Sequence, residues 1–400
     1  MISVLLLVGL AVAVFVGFNI GGSSTGVAFG PAVGSGVLSK LGAAALMASF
    51  ALLGGWTVGR NVVETMGGKI VPSVLFTLPA SVGVLFFVGL ALLVSNLFGV
   101  PASTSMTAVG AIAGLGVAAG DIDWGVMGQI VSWWLVAPIV AFWVCAVIGR
   151  YLYPYLDVWF RIDRSDGPLF EYNRVASIPY PVPSATTNRR ELVSSVLVVV
   201  IACYMAFSAG ASNVANAVAP LVGSGELGIN QGILLAAGAI GLGAFTIARR
   251  TLDTVGNDLT DLPLLAALIV EVVSASLITF LSVLGIPASL AVSATMCIIG
   301  LGWGRATRAV RVRDAAAAAV RGEDEQRDAS KGESKMSVDA LTAEPDDEVQ
   351  KIGEEDPDEL QTKDLFDPAS TGRVIMLWIL TPSISAVASF LLFEFFPIYQ

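Results

Sequence analysis

Long apolar segments separated by short polar turns follow one another along nearly the whole chain. About 20 apolar residues form a helix long enough to cross the hydrocarbon core of a bilayer. Ten segments of about that length lie at residues 2–20, 41–59, 73–97, 104–119, 126–149, 191–209, 231–248, 262–284, 288–303 and 373–396. The pattern predicts an all-α integral membrane protein with about ten transmembrane helices, placed in the cell membrane as a multi-pass protein.

Two polar stretches interrupt the apolar segments and divide the chain. The first contains prolines, tyrosines and arginines, and the second is highly charged and poor in aromatic residues, which predicts disorder. The predicted organisation is a first transmembrane repeat at 1–150, a cytoplasmic connector at 151–190, the main part of a second repeat at 191–303, an acidic cytoplasmic loop at 304–372 and a last transmembrane helix at 373–400.

The composition narrows the chemistry that this chain can perform. Hydrophobic residues make up 55% of the chain, charged residues make up 14%, and histidine is absent. Without histidine, the chain lacks the commonest general base and the commonest metal ligand. The three cysteines lie inside apolar segments and form no metal-binding or disulfide pattern. We therefore expect no enzyme activity, no cofactor and no catalytic metal.

The net charge of −10 arises in the acidic loop. Residues 314–367 hold 18 of the 32 acidic residues and six of the 22 basic residues. The membrane part is nearly neutral, and no basic patch with interleaved aromatics indicates nucleic-acid binding. Arginines flank the connector and the start of the loop, so both are predicted to be cytoplasmic and both chain termini external.

The sequence matches itself at a constant offset of 189 residues, with other offsets after the loops. Five apolar segments separate the starts of the two copies, and an odd number predicts that the second copy enters the membrane in the opposite direction. Inverted repeats with a substrate site between the halves are typical of secondary transporters. The matched residues include Gly21 and Gly210, Pro31 and Pro220, the runs 33–36 and 222–225, the runs 101–103 and 287–289, and Trp134 and Trp378.

Each copy carries a Gly/Ser/Asn-rich segment at membrane depth, at residues 21–26 and 210–216. Such sequences favour a break in a helix. A broken helix offers free amides to an anion and free carbonyls to a cation. Broken or re-entrant helices at the pseudo-twofold axis are therefore predicted, and close helix packing by small residues is the alternative interpretation.

A proline followed by hydroxyl residues begins one further segment in each copy. There the first amides of the helix and the side-chain oxygens form a neutral donor cluster suited to a tetrahedral oxyanion. Ordinary N-capping by the first serine is the alternative. The predicted anion-binding residues are Ser103, Thr104, Ser105 and Ser289, with Ser23 and Ser212 helping through the amides around them.

These repeated motifs resemble the inorganic phosphate transporter (PiT) family of phosphate permeases. The resemblance covers all the apolar segments and leaves out the two polar stretches. It implies a secondary active transporter that moves inorganic phosphate by symport with sodium or protons. It also implies that the hydroxyl segments hold phosphate and that cations bind near the family's Gly-Ala-Asn-Asp motifs.

The chain departs from the family pattern at the acidic positions. The Asn-Asp pair of the motif is Ser23-Ser24 in the first copy and Ser212-Asn213 in the second, so both aspartates are absent. An acid at membrane depth is a functional candidate because its burial is costly, although a structural role is the alternative. The predicted cation-coupling residues are Ser24, Asn213, Asn216 and Glu271.

Two other functions stay open at this point. Sulfate is also a tetrahedral dianion, so the substrate can be sulfate in place of phosphate. A non-transporting paralogue that acts as a sensor or interaction protein through its acidic loop is the second alternative. The predicted partners are phosphate or sulfate, sodium or a proton, the lipid bilayer and a second copy of the chain in a homodimer.

Overall fold

The structure is a computed structural model that describes residues 3–97, 103–160, 170–175, 178–183, 189–246, 263–309 and 368–400. Most of the chain within these ranges is helical. The α-helices are α1 (Val4–Gly34), α2 (Lys40–Thr57), α3 (Gly59–Gly68), α4 (Leu78–Leu97), α5 (Thr104–Ala119), α6 (Trp124–Val147), α7 (Tyr153–Phe160), α8 (Arg189–Gly223), α9 (Ile229–Thr246), α10 (Leu264–Val283), α11 (Leu290–Ala306) and α12 (Pro368–Phe395). A π-helix at Ile148–Leu152 joins α6 to α7.

Six of the described helical stretches are long and apolar enough to cross a membrane: α1, α6 continued by α7, α8, α9, α10 and the apolar part of α12. Helices α2 and α3 pass the same test together as a pair bent by 61°, and α4, α5 and α11 are shorter apolar helices. Each of the ten predicted apolar segments coincides with one of these helices. Apolar side chains such as Leu135 and Ile139 of α6 are exposed, as expected of a surface that faces lipid. The protein is a multi-pass membrane protein, and the count of about ten crossings stays a prediction.

The membrane part is all-helical, as predicted, and the connector adds a short β-hairpin outside it. Strand β1 (Phe170–Val175) pairs antiparallel with β2 (Ile178–Pro183). Prolines occupy every second position of β2, at 179, 181 and 183. Proline interrupts a helix but is tolerated where a strand needs no N–H donor, so this segment is extended. Residues 310–367, which include most of the predicted acidic loop, lie outside the described residues.

Helices α1 and α8 run without a break through the two Gly/Ser/Asn-rich segments, so the breaks predicted there are wrong. The glycines serve close packing instead. Gly21 of α1 leaves no room for a Cβ against the backbone of Ile240 in α9, and Gly210 of α8 leaves none against Ala51 in α2. Small residues let helix backbones approach closely in membranes, and this contact supports a continuous helix. The described bend lies elsewhere, between α2 and α3.

The contacts between the two copies are reciprocal. Gly21 and Gly210 are 189 residues apart, and so are their partners Ala51 and Ile240. A second reciprocal pair behaves in the same way: Gly54 packs on Phe207, and Gly243 packs on Phe18. Helix α1 therefore packs on α9 as α8 packs on α2. A reciprocal interface of this kind is what a twofold axis produces between two equivalent units.

The last helix of each copy packs against the other copy. Gly114 of α5 leaves no room for a Cβ against Ala386 of α12, and the matched Gly300 of α11 leaves none against Phe142 of α6. The start of α1 also meets the end of α8, because a Cβ on Gly9 would lie 3.3 Å from the Leu221 side chain.

Candidate functional site

The first candidate site lies where helix α5 begins. Ser103 is fully buried and caps α5, because its Oγ accepts a hydrogen bond from the Met106 amide at 3.3 Å. The residue after the cap, Thr104, starts the helix and faces α8. An α-helix leaves its first amides without acceptors inside the helix. The start of α5 therefore presents amides and hydroxyls together in the interior of the protein.

Four side chains from α5 and α8 form one hydrogen-bonded group, which we call the Asn–Thr cluster: Thr104, Ser105, Asn213 and Asn216. The Thr104 hydroxyl donates to Asn213 Oδ1. Asn216 Nδ2 lies 3.2 Å from Thr104 Oγ1, 3.1 Å from Ser105 Oγ and 3.0 Å from Asn213 Oδ1. Ser105 and Asn216 are fully buried, and Asn213 is nearly so. The cluster therefore joins residues that are 109 to 112 positions apart in the chain.

The cluster has more hydrogen-bonding capacity than its internal bonds use. Asn216 Nδ2 carries two hydrogens but faces three acceptors, so the bonds must alternate. Asn216 Oδ1 is buried and has no hydrogen-bond partner among the described residues. A buried acceptor without a partner is unfavourable and marks a place where a ligand or water is expected.

The electrostatics of the cluster suit an anion. None of its four side chains carries a formal charge, and the positive end of the α5 dipole adjoins Thr104. Hydroxyl and amide hydrogens can surround a tetrahedral oxyanion without the strong binding of a full positive charge. Binding of moderate strength is appropriate for a carrier, which must release its substrate.

Two of the predicted anion-binding residues, Ser23 and Ser212, have no free amides to offer. Ser23 donates back to the carbonyls of Asn19 and Ile20 within α1, at 3.2 and 3.1 Å. Ser212 donates back to Ala209 at 3.4 Å within α8. Since both helices are continuous, the amides around Ser23 and Ser212 belong to the helical ladder in this arrangement, and their predicted help in anion binding stays a prediction. No hydrogen bond in the described part of the chain joins Ser24 to the cluster.

The matched place in the other copy has different chemistry. The offsets of the repeats relate Asn213 and Asn216 to Ser24 and Val27 on α1. They relate Thr104 and Ser105 to Leu290 and Ala291 on α11. Ser289 is buried and caps α11, accepting from the Val292 amide at 3.3 Å, as Ser103 caps α5. Both copies therefore keep the serine cap. The hydroxyls of Thr104 and Ser105 and the amide of Asn216 have apolar counterparts in the other copy.

No hydrogen bond in the described residues joins Glu271 to the cluster. Helix α10 reaches α8 at Ser208, whose hydroxyl donates to the Ala275 carbonyl at 3.0 Å. Ser208 is five residues before Asn213 on α8, and Ala275 is four residues after Glu271 on α10. Glu271 is therefore not a hydrogen-bonded member of the cluster, and its predicted grouping with Asn213 and Asn216 stays a prediction.

Sequence reasoning missed the polar face of α10 that accompanies Glu271. Ser274 and Ser282 lie on the same side of the helix and are both fully buried. The spacing of Glu271, Ser274 and Ser282 places them on one side of a helix. The segment is otherwise mostly apolar, so the sequence analysis treated it as a plain membrane span and singled out Glu271 alone. Their burial is what marks them as part of an internal polar face.

The fold is that of a multi-pass membrane protein with polar side chains in its interior, as a transporter requires. A sequence profile described as "Phosphate transporter family" matches residues 20–389. The chain therefore belongs to the phosphate transporter family, which confirms the family predicted from the repeated motifs.

Several relatives are similar over most of the chain. The sulfate permease CysP of Bacillus subtilis (strain 168) is 29% identical and covers 72% of this chain and 75% of its own length. A protein named "Putative phosphate permease" from Chlamydia trachomatis serovar D is 26% identical over 75% of this chain and 89% of its own length. A solved structure of a sodium-dependent phosphate transporter has the same fold, with a TM-score of 0.62, 18% identity, and coverage of 98% of this chain and 99% of that one.

Proposed function

We propose that this protein is a permease that moves inorganic phosphate across the cell membrane and that the Asn–Thr cluster binds the anion. The observation that carries the proposal is the Asn–Thr cluster itself, a buried set of uncharged donors beside the start of α5. Membership of the phosphate transporter family and the names of several relatives support phosphate as the substrate.

The unpartnered acceptor of the cluster also supports phosphate. At neutral pH phosphate carries at least one proton, so it needs an acceptor as well as donors. Asn216 Oδ1 is such an acceptor, buried and without a partner among the described residues. Thr104, Ser105 and the first amides of α5 supply donors on the other side. We expect the anion to replace the internal bonds of the cluster when it binds.

The proposed transport cycle uses the two copies as inverted repeats related by a pseudo-twofold axis. Support comes from the reciprocal contacts of Gly21 and Gly210 and from the contact of the start of α1 with the end of α8. In such architectures one repeat rocks against the other around a substrate bound between them. The cluster joins α5 of the first copy to α8 of the second, so this rocking would move its two sides relative to each other.

Sulfate is the second candidate substrate. The relative in Bacillus subtilis is named a sulfate permease, and the cluster has no carboxylate to accept a proton. Sulfate carries no proton at neutral pH, so a site made only of donors suits it. A site with hydrogen-bond acceptors beside the anion therefore favours phosphate, and a site with donors alone favours sulfate.

Coupling to a cation completes the proposal. We propose symport with sodium or protons, as the resemblance to the family implies. The oxygens of Ser24, Asn213 and Asn216 remain the candidate ligands for sodium, and Glu271 is the candidate for a proton.

The test is uptake of labelled phosphate by liposomes that contain the purified protein, with unlabelled sulfate as competitor. We expect uptake that unlabelled phosphate competes away and that sulfate inhibits weakly. Inhibition by sulfate at lower concentration than by phosphate assigns the permease to sulfate. Folded protein that neither binds nor moves either anion favours the sensor alternative and contradicts the proposal.

A further inference from the structure

Glu271 is a buried carboxyl group without a partner. Its side chain is 4% exposed, and neither Oε1 nor Oε2 has a hydrogen-bond partner among the described residues. The same helix, α10, carries two further buried hydroxyls without partners, those of Thr279 and Ser282. These atoms are half of the eight unpartnered buried side-chain atoms in the described chain, so the polar interior of α10 stands out from the rest of the protein.

The repeat provides evidence that packing does not require this carboxyl. The residue of α4 that matches Glu271 is Leu85, and the residue that matches Ser274 is Val88. Both are fully buried. The same position in the other copy is therefore filled by an ordinary apolar side chain. A structural role would need a partner for Glu271, and the described residues supply none.

In the described part of the chain, no side chain is hydrogen-bonded to the Glu271 carboxyl, on whichever packed helix it lies. Helix α10 packs against α8, α11, α6, α3, α1 and α7. On α3, Arg60 and Glu64 lie towards the end of α10 that carries Val283. Helix α1 carries no titratable residue. Glu191 lies near the start of α8, and Arg305 lies near the end of α11. The remaining titratable residues on the packed helices are Arg189, Arg190, Cys203 and Tyr204 on α8, Cys145 on α6, Cys297 on α11, and Tyr153, Tyr155 and Asp157 on α7.

None of these groups hydrogen-bonds to the Glu271 carboxyl. An ionised carboxylate in an apolar interior costs far more than a neutral acid, and such groups at membrane depth serve proton relays. Burial without a hydrogen-bond partner therefore favours the neutral, protonated form of Glu271 over the carboxylate.

From this we infer that Glu271 is the proton-binding site that couples anion movement to a proton gradient. The inference rests on the proposed permease function and names its coupling ion. In the arrangement described here the Glu271 O–H bond is intact. In the opposite arrangement water reaches the carboxyl, the O–H bond breaks, and the proton passes to a water molecule on that side. The carboxylate that remains is then hydrated until the carrier returns.

Glu271 suits a proton better than a sodium ion. Hard metal cations in proteins take several oxygen ligands at once. The nearest hydroxyl along the helix, that of Ser274, already donates to the Val270 carbonyl at 2.6 Å. One carboxyl group without further oxygens binds a proton but does not complete a metal site.

The experiment compares two kinds of transport in liposomes for the wild type, Glu271→Gln and the control Glu64→Gln. Exchange of labelled for unlabelled phosphate at equal concentration and equal pH requires only that the loaded carrier reorient. Net accumulation driven by an inward proton gradient also requires that the carrier release its proton and return. Glutamine imitates a permanently protonated glutamate, and Glu64 is an exposed acid on α3, so its replacement should be neutral.

We expect Glu271→Gln to keep exchange at the wild-type rate and to lose accumulation to the level of empty liposomes, while Glu64→Gln keeps both. Accumulation by Glu271→Gln at the wild-type rate overturns the inference, as does loss of both activities. Wild-type accumulation driven by a sodium gradient at equal pH, and preserved in Glu271→Gln, overturns it as well.

A second measurement does not depend on transport. In infrared spectra of the purified protein at neutral pH, we expect the carbonyl band of a buried protonated acid in the wild type and its absence in Glu271→Gln. No such difference overturns the inference even if the anion is transported. Wild-type protein that binds neither phosphate nor sulfate but shows the band contradicts the proposed permease function instead, so the two failures are distinguishable.

Discussion

The helix pairs α4–α5 and α10–α11 occupy matched places in the two copies and carry different chemistry. In the first pair, α5 begins with hydroxyls that join Asn213 and Asn216, whereas α4 is apolar at Leu85. In the second pair, α11 continues its cap with apolar Leu290, whereas α10 carries Glu271. The duplicated fold keeps the scaffold in both copies and leaves each copy free to specialise. We interpret the first pair as the anion side and the second as the proton side.

The largest expected effect comes from breaking the Asn–Thr cluster. In Asn216→Leu, the side chains of Thr104, Ser105 and Asn213 lose the amide that they share. Anion uptake into liposomes should fall to the level of empty liposomes. The control is Val27→Leu at the matched position of α1, which should keep uptake. Equal uptake by both variants would contradict the assignment of the anion site to the Asn–Thr cluster.

The second prediction concerns the glycines that let the two copies approach. Gly210→Ala places a methyl group against the backbone of Ala51, and overpacking of this kind costs about 1–3 kcal/mol or more. The control is Gly238→Ala, because a Cβ there meets no atom within 4 Å. Thermal unfolding of both variants in detergent measures the difference. If Gly210→Ala unfolds at the same temperature as the control, the close reciprocal contact is not important for stability.

The third prediction separates the hydroxyl of Thr104 from its apolar counterpart. A hydrogen bond to a charged group contributes about 1.5–3 kcal/mol, so Thr104→Ala should weaken anion affinity about ten- to hundredfold. Leu290→Ala, at the matched position, should change the affinity by less than about twofold. Titration of labelled phosphate against the purified variants gives both values. A larger loss in Leu290→Ala would place the anion on the side of α11.

The smallest effect is expected for Ser24, the counterpart of Asn213. No hydrogen bond in the described residues joins Ser24 to the Asn–Thr cluster, so Ser24→Ala should leave anion affinity unchanged within about twofold. The same variant tests the predicted sodium role, since uptake with and without a sodium gradient can be compared. A selective loss of sodium-driven uptake would assign Ser24 to a cation site and make the two copies more alike in function.

Much of the helix pattern could be predicted from the sequence, because burial in lipid requires long apolar helices whose length can be counted. The predicted segment 104–119 and helix α5 have the same bounds. The prediction failed at residues 21–26, where local propensity favours a break. Glycine is a poor helix former in isolation, but at Gly21 the neighbouring helix α9 packs so closely that the helix stays intact.

The site was predicted only in part. The sequence pointed to Ser103, Thr104 and Ser105 for an anion and to Asn213 and Asn216 for a cation. It gave no reason to place Thr104 beside Asn213, because the two residues are 109 positions apart and belong to different copies.

The sequence by itself determined that the chain is a duplicated membrane protein of apolar helices, since hydropathy and self-similarity are properties of residue order. Only the tertiary structure decided which polar groups meet. Helix α5 contacts α8 across the two copies, so hydroxyls from one repeat and amides from the other form a single cluster. The same packing leaves Glu271 buried without a partner. Burial and hydrogen bonding depend on distances between helices, and residue order alone does not fix those distances.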